Sequence, residues 1–427
     1  MDVVKIGLAG YGTVGTGLAK ILDQNQDWII KRIGKKVVID SILVKNLAKK
    51  RSFVPVNAPL FLDDSKQFLA RDWDILVELI GGVDFAFYLI EQALTKARPV
   101  VTANKALLAL KGEQVLSLAQ QNKVGLGFEA SVAGGIPIVQ TLKTSLAGNK
   151  IDHLLGILNG TANYILSEMT QNGLEFEQAL KQAQDLGFAE ADPSFDVEGI
   201  DAGHKLVILI FLSQGIFYPF DSLEIKGIKQ ILPKDILFAR ELGFVFKLIA
   251  QVKNKKGSLQ AGVFPALLPQ EHILAKVEGA FNAVLVEGNA VGPIMLYGQG
   301  AGDLPTGSAV LADILTLIKQ KHLDNTGFVN FPLAKAKTLD YDFLETEFYL
   351  RFKVVDRPGV LSCLSGVMGK YQISIAQAIQ KVQKKDKGVP IVFLTHKAKW
   401  GDLKQAIDEI NKFDFILKPT ICYPILK

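Results

Sequence analysis

The sequence predicts an α/β protein with a doubly wound parallel sheet towards its N-terminal end and a smaller β-α-β-β-α unit towards its C-terminal end. Three observations carry this prediction: short apolar strands alternate with amphipathic helices over residues 3–130, a G-x-G-x-x-G turn separates the first strand from the first helix, and the pattern changes beyond residue 345. With 427 residues, 49% hydrophobic and 21% charged, the chain has material for about three domains. Its net charge of +5 is spread along the chain, which suits anionic small molecules and argues against a nucleic-acid partner. The longest apolar run falls far short of the roughly 20 residues of a membrane span, so no membrane partner is expected. The chain opens on a strand pattern with no charged leader, and the expected location is cytoplasmic.

The first strand, Val3–Ala9, runs into Gly10-Tyr11-Gly12-Thr13-Val14-Gly15, and Leu18, Ile21 and Leu22 give the following helix its buried face. Glycines here let the backbone approach a pyrophosphate, and the helix N-terminus, from Thr13 and Val14 onwards, aims amides at that anion. The competing reading is a chance tight turn, but its place between strand and helix favours a dinucleotide site. The second strand, residues 37–44, ends in Lys45 rather than an acid, with Lys49, Lys50 and Arg51 close behind. Cations there suit a 2'-phosphate, pointing to NADP over NAD, unless these residues only form a solvated face.

Further strands are expected at 74–80, 99–102 and 123–128, completing a Rossmann-like sheet. After the strand at 99–102, Thr102 or Asn104 can cap a helix that begins near Lys105. A lysine in a first helical turn opposes the dipole by roughly 0.3–1 kcal/mol. At the carboxyl end of a sheet strand, that marks Lys105 as functional.

The richest stretch is 187–205, which holds five carboxylates and then Lys205, directly followed by the apolar run 206–212. If the helix already includes Asp201, then Asp201 and Lys205 share one face, with Asp196 and Glu190 able to fold back towards them. An ordinary ion pair is the simpler reading. Placing a lysine at the mouth of an all-apolar helix favours a functional site instead. His153, His204, His272 and His322 lack ligand or triad spacing, and Cys363 and Cys422 suggest neither a disulfide framework nor a metal site.

After a polar connector at 321–345, strands are expected at 348–355, 373–380 and 389–395, helices at 360–370 and 402–412, and a last strand near 415–417. This is the order of a ferredoxin-like split unit.

Taken together, Gly10-x-Gly12-x-x-Gly15, Thr102-Ala-Asn-Lys105, the segment 128–138 (FEASVAGGIPI), 156–161 (GILNGT) with 163–166 (NYIL), and 189–194 (AEADPS) through Asp201 to His204-Lys205-Leu206 resemble homoserine dehydrogenase, in that family's order. The likeness covers nearly the whole chain. It implies a reversible NAD(P)-linked conversion between L-aspartate 4-semialdehyde and L-homoserine in threonine and methionine biosynthesis. Lys205 resembles the acid/base group, and Lys105 the lysine that meets cofactor and substrate. The resemblance assigns Glu190, Asp201, Asp196, Asn159 and Thr161 to substrate binding. Cofactor contacts fall to the glycine turn, Lys45, Thr102, Lys105, Gly187 and Gly302. Glu129 with the carbonyls of Val132, Gly134 and Ile136 resembles a monovalent cation site, for sodium, an all-oxygen set of the kind a hard cation takes. Asp303 departs from the family, where a further glycine is common.

The resemblance further implies a nucleotide domain at 1–138, an α+β substrate and dimerisation domain at 139–320 with a late return to the first, and a C-terminal ACT domain at 346–427, signalled by Asp356-Arg-Pro-Gly-Val-Leu. The expected partners are a small-molecule substrate, a further subunit in a homodimer or larger homo-oligomer, and an amino-acid effector, L-threonine. An assembly module without a ligand is the alternative for the tail. Truncation near residue 345 is expected to leave an active, insensitive enzyme. Two other functions compete. An acyl-phosphate-forming dehydrogenase needs a cysteine nucleophile, and both cysteines lie in the tail. An inactive cofactor and amino-acid sensor need keep neither lysine, yet both are present.

Overall fold

The computed structural model describes residues 2–255, 257–319, 324–329, 333–380 and 388–427. His322 and part of the expected connector lie outside the described residues. The chain forms two compact units, one of Met1–Gly160, Ile200–Leu223 and Ala280–Ala336, the other of Thr161–Gly199, Glu224–Gly279 and Lys337–Lys427.

The first unit holds a six-stranded sheet whose order in space is Leu60–Leu62, Lys36–Leu43, Val3–Ala9, Ile75–Glu78, Val100–Thr102 and Leu126–Gly127, parallel throughout. The order reverses between Val3–Ala9 and Ile75–Glu78, and such sheets bind ligands outside the carboxyl ends of the strands at that switch. The glycine turn sits at that end of Val3–Ala9. Sequence reading missed Leu60–Leu62, whose three residues are too few to show a strand period. Ile6, Leu8, Leu18, Val37, Val77 and Val310 belong to the buried core of this layer.

Helix Asp303–Lys319 lies against helix Thr13–Gln24 at backbone contact distance. A Cβ on Gly17 would fall 2.0 Å from the Asp303 carbonyl, and one on Gly307 2.7 Å from the Leu18 nitrogen, so only glycines allow this approach. Three more strands of the unit, Ile151–Ile157, Phe281–Gly288 and Gly292–Gln299, pair antiparallel. Among the described residues, no helix is long and apolar enough to cross a membrane.

In the second unit, Phe244–Lys255 and Ser258–Pro269 form a long antiparallel hairpin. The tail contributes Glu345–Val354, Ile375–Gln380, Val389–Thr395 and Ile416–Ile425, with helices Val360–Lys370 and Trp400–Ile410, the expected ferredoxin-like order. Phe348, Phe352, Leu364, Phe393, Leu403 and Ile410 are part of its core. The second helix begins two residues before the expected 402. The last strand is far longer than expected, because Pro419 and Pro424 disguise it. Opposite Phe352 the register shifts, leaving Pro419 and Thr420 in a bulge, where the Thr420 amide donates to Asn411 Oδ1 at 3.0 Å.

The tail strands also join the hairpin. Leu267 pairs with Ile425, and a buried ion pair lies beneath. Arg351, 3% exposed, grips the fully buried Asp235 of helix Pro233–Glu241: Nε donates to Oδ1, and Nη2 to Oδ2 at 3.1 Å. The Tyr349 hydroxyl donates to Asp235 Oδ1 at 3.1 Å. Removing one partner of such a pair leaves a buried charge without its counter-charge. Arg351→Met should therefore cost about 3–5 kcal/mol in urea unfolding, while the double change Asp235→Leu with Arg351→Met should recover most of it. A single-variant loss below about 1 kcal/mol would show that water reaches Asp235.

Candidate active site

The site in the first unit is assembled from three backbone ends. The first is the turn after Val100–Thr102. Asn104 Oδ1 accepts from the Leu107 amide at 3.0 Å, so Asn104, not Thr102, caps helix Lys105–Gln121. Thr102 braces the turn instead: its hydroxyl accepts from the Asn104 amide at 3.0 Å and donates to the buried Glu78 Oε2 at 2.6 Å. Glu78 also accepts from the amides of Ile80 and Gly81, and burial raises its carboxyl above the ordinary value. Lys105 is thereby fixed as the first helical residue.

The second end is helix Ile200–Gln214, buried from Asp201 to Leu212. Its first turn includes Asp201, as the sequence required, and Lys205 Nζ stands 2.7 Å from Asp201 Oδ2. The other oxygen, Oδ1, is 2.8 Å from Lys105 Nζ. The third end follows strand Ile151–Ile157. The Leu158 carbonyl accepts from Lys205 Nζ at 2.7 Å, and Asn159 Nδ2 donates to Asp201 Oδ2 at 2.9 Å.

One carboxylate therefore joins two ammonium groups. Burial alone would raise the Asp201 carboxyl, but Lys205 and Lys105 overcome it and hold the group far below the usual carboxylate range. The dipole penalty expected at Lys105 is offset by this partner. Lys205 is 8% exposed and Lys105 less enclosed, with 41% of its side chain accessible. His204 packs tilted against Phe220, ring centroids 4.6 Å apart, and burial lowers its pKa, which favours the neutral ring.

The glycine turn has the shape a dinucleotide needs. Gly10 has φ +101°, and a Cβ there would meet the Leu79 carbonyl at 2.6 Å; one on Gly15 would meet the Gly10 carbonyl at 2.5 Å. At Gly12 a Cβ would meet nothing within 4 Å, so this backbone faces open space at the helix N-terminus. An open groove beside it is lined by Gly12, Thr13, Lys49, Lys50, Arg51 and Asp303, among others. Lys45 is exposed just past its strand and does not line this groove. Asp303 begins its helix and pairs with Lys20 at 3.0 Å, which gives the departure from glycine a local role. Gly302, at φ +133°, has a backbone conformation that favours glycine, and a Cβ there would also meet Pro305 Cδ at 3.1 Å.

Around the expected cation loop, Glu129 is buried, and its two oxygens accept from the amides of Val139 and Gln140, each at 2.8 Å. Burial raises its carboxyl. Val132, Gly134 and Ile136 are buried beside it, and Ala133 and Gly134 adopt left-handed φ of 54° and 56°. A carboxylate and backbone carbonyls are donors of the type a hard cation takes, and here both Glu129 oxygens also accept backbone amides. The Glu129 amide donates to Asp313 at 2.7 Å, and burial pushes that carboxyl up to about 7.

The remaining predicted residues belong to the second unit. Thr161 donates to the Phe188 carbonyl at 2.6 Å, Gly187 takes φ +76° beyond helix Phe176–Asp185, Glu190 is exposed, and Asp196 lies on the short helix Ser194–Val197. Sequence reading missed Glu78, Asp313 and Asn282, the last of which donates to the Leu158 carbonyl at 3.1 Å. Each lies in or next to an otherwise ordinary apolar segment, so no local pattern marks it.

Comparisons with known proteins agree with this geometry. The family descriptions "Homoserine dehydrogenase, NAD binding domain", "Homoserine dehydrogenase" and "ACT domain" match residues 10–129, 137–315 and 348–415. The homoserine dehydrogenase of Neisseria gonorrhoeae is 39% identical over 98% of this chain and 98% of its own. The crystal structure of a homoserine dehydrogenase from Thiobacillus denitrificans superposes with a TM-score of 0.94 at 38% identity, covering 100% of this chain and 99% of that one. A hyperthermophilic archaeal homoserine dehydrogenase in complex with NADPH gives 0.64 at 29% identity, covering 75% of this chain and 100% of its own. The chain belongs to the homoserine dehydrogenase family, with its NAD-binding, catalytic and ACT domains.

Proposed function

We propose that this homoserine dehydrogenase interconverts L-aspartate 4-semialdehyde and L-homoserine with NADP, using Lys205 as the acid/base group and Lys105 as the second cation at the reacting oxygen. The supporting observation is the Lys105–Asp201–Lys205 arrangement, two ammonium groups held by one buried carboxylate. When bound, the nicotinamide supplies or takes up the hydride. In reduction, negative charge develops on the C4 oxygen; Lys205 Nζ gives it a proton while Lys105 steadies the charge. In oxidation Lys205 takes that proton back as a neutral amine. Asp201 opposes this step by favouring the charged lysine, while the nearby Lys105 ammonium favours the neutral one.

On this reading Asn159 and Thr161 hold the substrate, and Glu190, Asp196 and Asp201 suit its ammonium group. Thr102 and Gly187 border the cofactor. Sodium would be held by Glu129 and the carbonyls of Val132, Gly134 and Ile136. NADP over NAD is supported by the cations Lys49, Lys50 and Arg51 lining the groove beside Gly12, with Lys45 near them in sequence, and by the NADPH bound to the archaeal relative. The proposed domain division is 1–138, 139–320 with a late return to the first domain, and 346–427, supported by family matches at 10–129, 137–315 and 348–415. A cytoplasmic homo-oligomer, at least a dimer, regulated by L-threonine through the ACT domain, completes the proposal.

Lys205→Ala should lower kcat about 10²–10⁴-fold with cofactor affinity nearly intact, and retention of more than about a tenth of wild-type kcat would assign Lys205 to structure. For the cofactor, Arg51→Ala should raise the KM for NADPH about tenfold relative to NADH, as loss of one charge-assisted hydrogen bond requires. If only Lys45→Asp alters that ratio, Lys45 holds the phosphate instead. Finally, L-threonine should inhibit with a coupling of roughly 1–3 kcal/mol, a 5–150-fold change in substrate affinity. Inhibition purely competitive with homoserine and unaffected by substitutions in the tail would place threonine in the active site.

A further inference from the structure

Asn282 lies on strand Phe281–Gly288, opposite Gly298 of the neighbouring strand, and is fully buried. Its Nδ2 donates to the Leu158 carbonyl at 3.1 Å, the same oxygen that accepts from Lys205 Nζ at 2.7 Å. Its Oδ1 is buried with no hydrogen-bond partner among the described residues. An amide kept only for packing would have both ends satisfied or would be replaced by an apolar side chain of the same shape, because burying an unpaired acceptor is unfavourable. The one hydrogen bond that this side chain makes therefore points to its role.

The glycine-rich turn after Gly292–Gln299 makes room for it. A Cβ on Gly300 would sit 2.2 Å from Asn282 Cγ, and one on Gly160, just past Leu158 and Asn159, would sit 2.7 Å from the Ala280 carbonyl. Gly300 is thus required not by its own φ but by the seat of the Asn282 amide. Charged groups facing Lys205 include Asp201, on its own helix, and Lys105, on helix Lys105–Gln121, and His204 adjoins them.

We propose that Asn282 is a positioning residue for the acid/base lysine: by sharing the Leu158 carbonyl it fixes that oxygen's direction and limits how strongly the oxygen holds the charged form of Lys205. The inference rests on Lys205 acting as the acid/base group. A carbonyl with two donors binds each less strongly than a carbonyl with one. Once the amide is removed, the Leu158 oxygen is left to the lysine ammonium, and homoserine oxidation, which needs the neutral amine, should require higher pH.

The test is the pH profile of kcat for homoserine oxidation in Asn282→Asp and Gly300→Ala, with NADP binding and thermal unfolding measured on the same proteins. Asn282→Asp keeps the shape but replaces the donor with an acceptor near the lysine, and should move the rising limb of the profile up by about one pH unit, a fall of about tenfold in kcat on the acidic side of that limb. Gly300→Ala keeps the amide but displaces it, and should move the limb in the same direction. Cofactor affinity should stay unchanged in both. If the variants lose thermal stability while the limb stays in place, Asn282 is a packing residue and the proposal fails. If Asn282→Asp does not fold, Gly300→Ala alone decides by the same criterion. Should Lys205→Ala keep wild-type turnover, the acid/base reading itself fails, an outcome distinct from a Lys205→Ala enzyme that is inactive beside Asn282 variants with an unmoved profile.

Discussion

The arrangement depends on one carboxylate, Asp201, held between two lysines that come from different helices. Two ammonium groups so close together, one of them nearly buried, would repel each other and lose much of their hydration. Asp201 joins them through its two oxygens, and its own burial is compensated by both. The surrounding structure follows from the need to keep these three groups in register. Asn104 fixes where the Lys105 helix starts, the unbroken apolar run 206–212 anchors the Lys205 helix, and Asn159 and the Leu158 carbonyl hold the remaining directions.

Much of this was legible in the sequence because it depends on local spacing. Asp201 and Lys205 are four apart, and a helix that includes both must bring them together. The glycine turn could be read for the same reason, its demands being those of a strand passing directly into a helix. What could not be read arises from distant segments. The partner of Lys105 is 96 positions away, and nothing around either residue signals the pairing. Asn282 lies in a stretch that reads as an ordinary strand, and its function depends on a carbonyl that appears in no pattern of side chains. The last tail strand was concealed by Pro419, which lies in a bulge, and by Pro424, which stays in register opposite Phe348. At the end of the second strand, sequence marked several cations together, and it could not say that Lys49, Lys50 and Arg51 line the groove beside Gly12 while Lys45 does not.

The glycines divide into those that serve a ligand and those that serve the chain. Gly12 faces open space, whereas Gly17, Gly300 and Gly307 are small so that other backbone or side-chain groups can occupy the volume of a Cβ. A motif made of several glycines can therefore mix both kinds, and assigning every one to the cofactor overstates what the cofactor requires.

The buried pair of Asp235 and Arg351 changes what the tail is. A sensing domain attached by a linker could be cut away, as expected from sequence at residue 345, and the archaeal relative covers 75% of this chain at its full length. Here the tail also supplies the counter-charge for an acid that lies outside it, and a strand for the hairpin edge. With such an acid in place, removing the tail alone would leave Asp235 without its counter-charge. A variant meant to be blind to an ACT-domain effector would therefore change the effector's contacts and leave the strand of Arg351 intact.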